Sequence, residues 1–391
     1  MTSQTYSSPL FVERMMQQHM PQKMIQVFDC QPFVIDNSAS ILAVLTAGVS
    51  NKLIGHFGLT VDFAVDGRRQ TRRMVMKVKP HGREIAAMLQ GLATACGGVL
   101  AEVYPAFALR TGFAHSHGRE LDVYSKLPSS LQPAVFGVFA DEPNGTYLIL
   151  MEYLADVTLL NSVMTPELWT DKHIRQALDQ LAVWHAQHLD KPLPLNPIYW
   201  DEVPSTAYMV ALSPLWDAML HHAAGAFPDL YTTKRTRILQ AVIAAIPGYW
   251  QELEVLPKTL VHNDLNPRNA CFKQQDSVPV LCVYDWELAT YHVPQYDVVE
   301  LLCFVLDEDR YALRQTYLTY YQQALHRLTG RYADEQAFRR GFDLALFDFG
   351  LHRLGLYMMA HTIGPYPFLP RVVNSYFNML EAAEAGQDYK S

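Results

Sequence analysis

Val261-His262-Asn263-Asp264-Leu265-Asn266-Pro267-Arg268-Asn269, followed by the apolar run Val280 to Tyr284 and then Asp285-Trp286-Glu287, is the stretch from which the rest of the 391 residues is read. The pattern H-x-D-x-x-x-x-N puts a carboxylate and an amide in one loop, and the apolar run mounts a second carboxylate at a strand end. Phosphoryl transfer needs such a set, because its catalysis is mostly positioning and charge neutralisation by a carboxylate beside the attacking hydroxyl and by oxygen ligands for Mg²⁺. On this reading Asp264 orients and deprotonates an acceptor hydroxyl, and Asn269 and Asp285 hold Mg²⁺ against nucleotide phosphates. The plainer alternative makes Asp285 a turn or capping residue and Asn269 a turn residue after Pro267.

Upstream, the chain reads as strands, a helical insertion and more strands. Ile41 to Ala47 and Leu53 to Val65 are β-prone, Asp66-Gly67 is a hairpin signal, and Arg72 to Val78 alternates as a third antiparallel strand. Helices are expected over Arg83 to Cys96, stopped by Gly97-Gly98, and over Gly118 to Leu127, and Thr146 to Tyr153 has the composition of a buried strand. After Leu154 the pattern turns helical. Thr170 is expected to cap a helix from Asp171 to Leu189, Ser213-Pro214 to open another, and Thr232 or Thr233 to cap one that runs to about Trp250. Further helices are expected over 309–328, 334–360 and 370–385, with Thr259 to Asp285 as one β-like island. A strand-rich half followed by a helix-rich half is an α+β layout, with domains at 1–154 and 155–391 and a cleft between them.

Composition narrows the function classes. Half of the residues are hydrophobic and 12% aromatic, with no low-complexity tract, which excludes collagenous, coiled-coil and disordered chains. The length suggests roughly two to three domains at about 150 residues each. No apolar run approaches the roughly 18 residues of a bilayer span, and the N-terminal sequence lacks a basic segment followed by an apolar one, so neither membrane insertion nor secretion is expected. Five cysteines, none spaced C-x-x-C, fit a reduced cytoplasm and no structural zinc site. The net charge of -8 is divided unevenly, about +1 over 1–154 and about -9 over 155–391. That acidity argues against a nucleic-acid partner and favours a cationic ligand, beside the commoner explanation of an acidic solvated surface. His115-Ser116-His117 and His221-His222 lack the partners of a metal site, and the basic hairpin at Arg68, Arg69, Arg72 and Arg73 reads as a solvated turn. Trp200, Tyr208, Trp216 and Trp250 read as core, with lining of an acceptor pocket as the alternative.

The 261–287 island resembles the catalytic loop and metal-binding Asp of the aminoglycoside phosphotransferase and choline kinase superfamily, the small-molecule branch of the protein-kinase-like fold. Leu181-Ala182-Val183-Trp184-His185-Ala186 is similar to the helix that supports that loop, Asp297 to the Asp that braces it, and Glu120-Leu121-Asp122-Val123-Tyr124 to the helix whose Glu pairs with the nucleotide-binding Lys. The resemblance covers roughly 41–300 and implies a two-lobed fold, with a small antiparallel-sheet N-lobe and a large, mainly helical C-lobe. It assigns Glu120 the Lys partner, with Glu84 competing, and gives His262 a supporting, buried role. On the third strand Val75, Lys77 and Lys79 share one face. Met74-Val75-Met76-Lys77 is similar to V-A-I-K, which sets Val75 over the adenine and Lys77 on the α and β phosphates, with Lys79 as alternative. Ser50 and Asn51, in the turn after Gly48, are candidates to cradle phosphates, and Glu152 and Leu154 lie where a hinge would meet the base.

The expected activity is a small-molecule kinase that moves the γ-phosphoryl of ATP, or alternatively GTP, with Mg²⁺, to a hydroxyl of a metabolite, amino sugar, choline-like alcohol or natural product. Contacts to the acceptor are expected from 195–255, from Glu287, Tyr291 and His292, and from the helix around Asp343 to Tyr357. A catalytically silent nucleotide-binding module is the second reading, and a protein kinase the third, disfavoured by the absence of D-F-G, A-P-E and H-R-D.

Overall fold

The computed structural model describes residues 6–35, 54–275 and 278–388. The expected strand over 41–47 and the candidates Ser50 and Asn51 lie outside the described residues. The chain opens with α1 (Pro9–His19), then β1 (Ile25–Phe33), β2 (Gly55–Val65), β3 (Arg68–Pro80), α2 (Gly82–Cys96), α3 (Gly98–Val103), α4 (Ser116–Lys126), β4 (Val135–Asp141) and β5 (Thr146–Glu152). The five strands form one antiparallel sheet in the order β1-β2-β3-β5-β4. Asp66 and Gly67, at φ 49° and 79°, make the tight turn that the Asp-Gly pair demands and set the β2–β3 register from Val65 opposite Arg68 to Gly55 opposite Val78.

Alternation along β3 then decides which side chains meet the rest of the protein. Met74, Met76 and Val78 are buried in a small core with Phe11, Val12, Met15 and Met16 of α1. Each such apolar side chain contributes roughly 1.5–3 kcal/mol when removed from water. Val75, Lys77 and Lys79 consequently emerge on the opposite face, towards α4.

The remainder is mostly helical: α5 (Asp171–His188), α6 (Thr206–Ala211), α7 (Ser213–Ala226), α8 (Thr233–Ala244) and α9 (Ile246–Val255). Then come β6 (Thr259–Val261), β7 (Ala270–Gln275), β8 (Val278–Val283), β9 (Thr290–His292), α10 (Gln295–Val305), α11 (Arg314–Thr329), α12 (Glu335–Phe349), α13 (Gly355–Ile363) and α14 (Leu369–Asp388). The α+β arrangement of an antiparallel-sheet lobe and a mainly helical one is therefore present. Strands pair as β6 with β9 and β7 with β8, so the β-like island is two small ribbons around one loop. Trp184 of α5 packs on Trp286 with ring centroids 4.6 Å apart and donates its Nε1–H to Leu260 O at 2.8 Å, tying the supporting helix to both ends of that island.

Three local expectations are corrected. The helix expected from Thr232 to Trp250 is two, because Pro247 has no N–H to continue the ladder and instead sits in the first turn of α9. Thr170 precedes α5, but its hydroxyl pairs with His173 Nδ1 at 3.0 Å and makes no capping bond. The helix expected over 334–360 is interrupted by a π turn at Gly350–Leu354 between α12 and α13. A Cβ at Gly350 would sit 1.8 Å from the Tyr376 hydroxyl, so the ring of α14 occupies the space a side chain would need. Such turns insert one residue and re-aim those that follow, here Arg353 and Tyr357.

Candidate active site

Charges from three distant segments converge on the inner face of β3. Lys77 Nζ donates to both Glu120 oxygens, at 2.8 and 2.9 Å, and to Asp285 Oδ1 at 2.6 Å. Lys79 Nζ donates to Glu120 Oε2 and, at 2.7 Å, to Glu287 Oε2. Glu120 is fully buried on α4, and one turn later Tyr124 accepts the Asp285 N–H at 3.2 Å. Lys77 and Lys79 share Glu120 and differ in their second partners, Asp285 for one and Glu287 for the other. Glu287, an expected acceptor contact, is engaged by Lys79. Among the described residues Lys77 pairs with Glu120 and Asp285.

Two ammonium groups face three carboxylates here. Burial alone would raise the Asp285 carboxyl pKa, but Lys77 and Lys79 outweigh it and hold the group well below the ordinary carboxylate range. Burial would likewise lower Lys77, and the opposing charges of Asp285 and Glu120 override it, so the ammonium stays charged. His56 pairs with Lys77 across the β2–β3 ladder, and burial, reinforced by Lys77, pushes its pKa down to about 4. It is a neutral neighbour of the cluster that the sequence did not single out.

The loop between β6 and β7 is built around one buried carboxylate. Asp297, in the first turn of α10, accepts the His262 N–H at 2.8 Å, the Asn263 N–H at 3.0 Å and His185 Nε2 at 3.1 Å. Asn263 takes φ 61°, a left-handed conformation that Asn tolerates better than most side chains, and its Nδ2 donates to Leu288 O at 2.9 Å. His262 is fully buried, and its Nε2 lies 3.0 Å from Tyr284 O. On the same helix Glu300 accepts the Leu265 N–H at 3.0 Å.

Asp264 sits at the head of this loop with both oxygens engaged. Oδ2 accepts from Asn269 Nδ2 at 2.8 Å, and Oδ1 accepts from Arg353 Nη2 at 2.7 Å, from Asn266 Nδ2 at 3.1 Å and from the Tyr357 hydroxyl. Burial would raise its pKa, but Arg353 and Arg268 prevail and lower it. Among the described residues Glu300 has no such cation in contact. Burial, with the charge of Asp264 nearby, pushes its carboxyl up to about 8.

Register brings Asn269 and Asp285 to the same end of the β7–β8 ribbon. Ala270 pairs with Val283, and the Tyr284 N–H donates to Asn269 O at 3.0 Å. Asp285 then turns into a left-handed conformation, φ 67° and ψ 54°, the kind of strained backbone that is stored at functional sites. Asn269 commits Nδ2 to Asp264, which leaves its amide oxygen available as a metal ligand, and Asp285 retains one oxygen beyond its Lys77 contact. This hard-oxygen pair fits Mg²⁺, which is held by one or two carboxylates together with substrate phosphates.

The remaining candidates fall as follows. Val75 packs against the larger core on the Lys77 face. At the end of β5 the Glu152 N–H is donated to Ala134 O and the Tyr153 N–H to Arg73 O, whereas among the described residues the Leu154 N–H makes no hydrogen bond. The Glu152 side chain accepts the Ala134 N–H at 2.7 Å and pairs with Lys273. His292 is buried against Asp348 at 3.2 Å. Trp200, Trp216 and Trp250 are core residues. His117 accepts the Gly82 N–H at 2.9 Å, and Arg69 pairs with Asp62 on the surface. Sequence reasoning missed Arg353 as a partner of Asp264, and it missed Glu300, whose signal was available as the residue three positions after Asp297 on one helix face.

No curated protein sequence matches the chain. Among solved structures, a Plasmodium vivax ethanolamine kinase is similar at 11% identity and a TM-score of 0.43, covering 90% of this chain and 81% of the other. A microcompartment-associated aminopropanol kinase is 13% identical, covering 85% and 91% with a TM-score of 0.40. An aminoglycoside phosphotransferase from Streptomyces rimosus in complex with ADP and streptomycin is 12% identical, covering 79% and 98% with a TM-score of 0.36. A sequence model described as the phosphotransferase enzyme family matches residues 65–332, which spans β3, α4, the 261–269 loop and Asp285. The chain belongs to the phosphotransferase enzyme family.

Proposed function

We propose that this protein transfers the γ-phosphoryl group of ATP to a hydroxyl of a small molecule. The observation that carries the proposal is the convergence of Lys77, Glu120 and Asp285, 43 and 208 residues apart in sequence, within 2.9 Å of one ammonium group. Residues 1–154 form the nucleotide-binding part on this reading. Val75 covers the base, Glu152 and Leu154 offer backbone groups to its edge, and Lys77, positioned by Glu120, pairs with the α and β phosphates. Ser50 and Asn51 belong to the phosphate side by sequence alone. Residues 155–391 supply the catalytic loop and the acceptor site.

Asn269 and Asp285 would hold Mg²⁺, which supplies charge neutralisation of the β and γ phosphates. Asp264 receives the acceptor's O–H. As the acceptor oxygen forms its bond to the γ phosphorus, the bond from that phosphorus to the bridging oxygen breaks and ADP leaves with the electron pair. The hydroxyl proton passes to the Asp264 carboxylate and from there to solvent when product departs. Because Arg353 and Arg268 depress its pKa, Asp264 acts chiefly by orienting the hydroxyl, as a late transition-state base. Asp297 and His262 hold the loop.

The test is incubation with γ-labelled ATP and Mg²⁺ over a pooled library of hydroxylated metabolites and antibiotics, read by mass shift. A phosphorylated small molecule is the expected result. Nucleotide binding with no transfer to any acceptor or to water would favour the silent module, and labelling of proteins alone would favour a protein kinase.

A further inference from the structure

Two guanidinium groups stand beside the hydroxyl-orienting carboxylate. Arg353, from the π turn, reaches Asp264 Oδ1 at 2.7 Å, and Arg268, from the loop itself, lies 3.9 Å from the same oxygen. The Tyr357 phenol lies between them. Its oxygen accepts from Arg268 Nη2 at 3.1 Å and Arg353 Nη2 at 3.3 Å, and both guanidinium carbons stand over its ring, at 5.4 and 5.1 Å from the centroid. Phe368 backs Arg268 from the other side at 5.5 Å. The side chains are therefore fixed in place, with 12% of Arg268 and 6% of Arg353 exposed.

The hydrogen bonding of Arg353 is incomplete. Arg353 Nε is buried and has no partner among the described residues. Leaving such a donor unpaired costs about 1–3 kcal/mol, and more for a charged group, so an oxyanion that reached this N–H would remove that cost. The charges nearby do not supply one. Asp264 neutralises a single guanidinium. Glu300 lies behind, 3.4 Å from the Tyr357 hydroxyl, and burial drives its carboxyl towards the protonated form. The acidity of residues 155–391 as a whole is a property of their sum, whereas at Asp264 two guanidinium groups lie within ion-pair reach of one carboxylate.

We propose that the acceptor bears an oxyanion, a carboxylate or a phosphate ester, close to the hydroxyl it presents to Asp264, and that Arg353 and Arg268 select it. Planar guanidinium groups bind both oxyanions through paired N–H bonds, which also fixes the orientation of the neighbouring hydroxyl. This deepens the phosphotransferase reading above and rests on it.

Binding of four small probes to the full chain, with Mg²⁺ and a non-hydrolysable ATP analogue present, separates the possibilities by calorimetry and thermal shift. The probes are glycerate, glycerol 3-phosphate, glycerol and ethanolamine. Glycerate or glycerol 3-phosphate is expected to bind at least roughly tenfold more tightly than glycerol or ethanolamine, and the stronger of the two anions tells a carboxylate from a phosphate requirement. Arg353→Gln and, independently, Arg268→Gln should abolish that preference, with Arg353→Lys restoring part of it and the probe-free melting temperature showing that each variant is folded. Ethanolamine or glycerol binding as tightly as both anions would overturn the proposal, as would failure of both anions to bind. So would an anion preference that survives both substitutions while nucleotide affinity falls, because the arginines would then serve ATP. Failure of the wild-type chain to bind the nucleotide analogue refutes the phosphotransferase reading itself, an outcome distinct from nucleotide bound and anions ignored.

Discussion

Replacing Asp297 by Ala removes the acceptor for three donors at once, the backbone N–H groups of His262 and Asn263 and the His185 imidazole, at 2.8, 3.0 and 3.1 Å. All three are enclosed, so water does not take over. At about 1–3 kcal/mol for each orphaned donor, with partial relaxation, the loss is roughly 3–6 kcal/mol. Unfolding entropy of about 2 cal/mol/K per residue gives about 0.8 kcal/mol/K for a chain of this length, which converts the loss to a melting point lower by roughly 4–7 °C. The effect on turnover is expected to exceed the effect on stability. Asn263 is held at φ 61° by these bonds, and Asp264 is the next residue. A displacement of about 1 Å at the reacting group costs on the order of 100-fold in rate. Asp297→Asn keeps one acceptor oxygen but turns an NH₂ group against a donor, so it should fall between Ala and wild type in melting temperature. Differential scanning fluorimetry and initial rates with labelled ATP read both effects. An Asp297→Ala protein that melts within about 1 °C of wild type and turns over normally would show that this carboxylate does not hold the loop.

Glu300 gives a pH prediction whose sign is opposite to that of a salt-bridged acid. Its folded pKa of about 8 lies above the ordinary value of 4.5, so the folded state binds the extra proton and stability falls as pH rises between those values. The loss is at most about 4–5 kcal/mol and is complete above the folded pKa. Melting temperature should decline from about pH 5 to about pH 8 in the wild type and less steeply in Glu300→Gln; identical slopes would refute the shift. Lys77→Met should weaken Mg-ATP binding and turnover together, whereas Lys79→Met, which leaves the Lys77–Asp285 contact, should retain nucleotide affinity within about fivefold; the reverse order by calorimetry would exchange their roles. Asp285→Ala is expected to abolish Mg²⁺-dependence of nucleotide binding, and an unchanged Mg²⁺ titration would remove it as a ligand.

What the sequence revealed, it revealed through local chemistry. The 261–269 loop carries its functional groups within nine residues, and the alternation of β3 puts Lys77 on a defined face as soon as Asp66-Gly67 fixes the turn. Glu120 was reached by resemblance and not by spacing, since nothing local ties an α4 carboxylate to a lysine 43 residues earlier. The edge strands β1 and β4 were illegible for a physical reason. β1 buries only Ile25 and Val27, is bulged between Val27 and Asp29, and carries Pro32, so it lacks the alternation of a strand with two neighbours. The π turn was equally hidden, because Gly350–Leu354 has a helical composition and the cause is the Tyr376 ring packed against Gly350. Arg353 is thereby aimed at Asp264 from 89 residues away, a pairing that only tertiary packing creates.

The central claim is that Asp264 acts on the acceptor while Lys77, Asn269 and Asp285 serve the nucleotide. Measuring Mg-ATP affinity and phosphoryl transfer side by side in Asp264→Asn tests it most directly. Affinity for Mg-ATP should stay within about threefold of wild type while transfer falls by roughly 10²- to 10⁴-fold, the usual contribution of a positioned general base. Transfer at the wild-type rate, or a loss explained entirely by weaker nucleotide binding, would contradict the account.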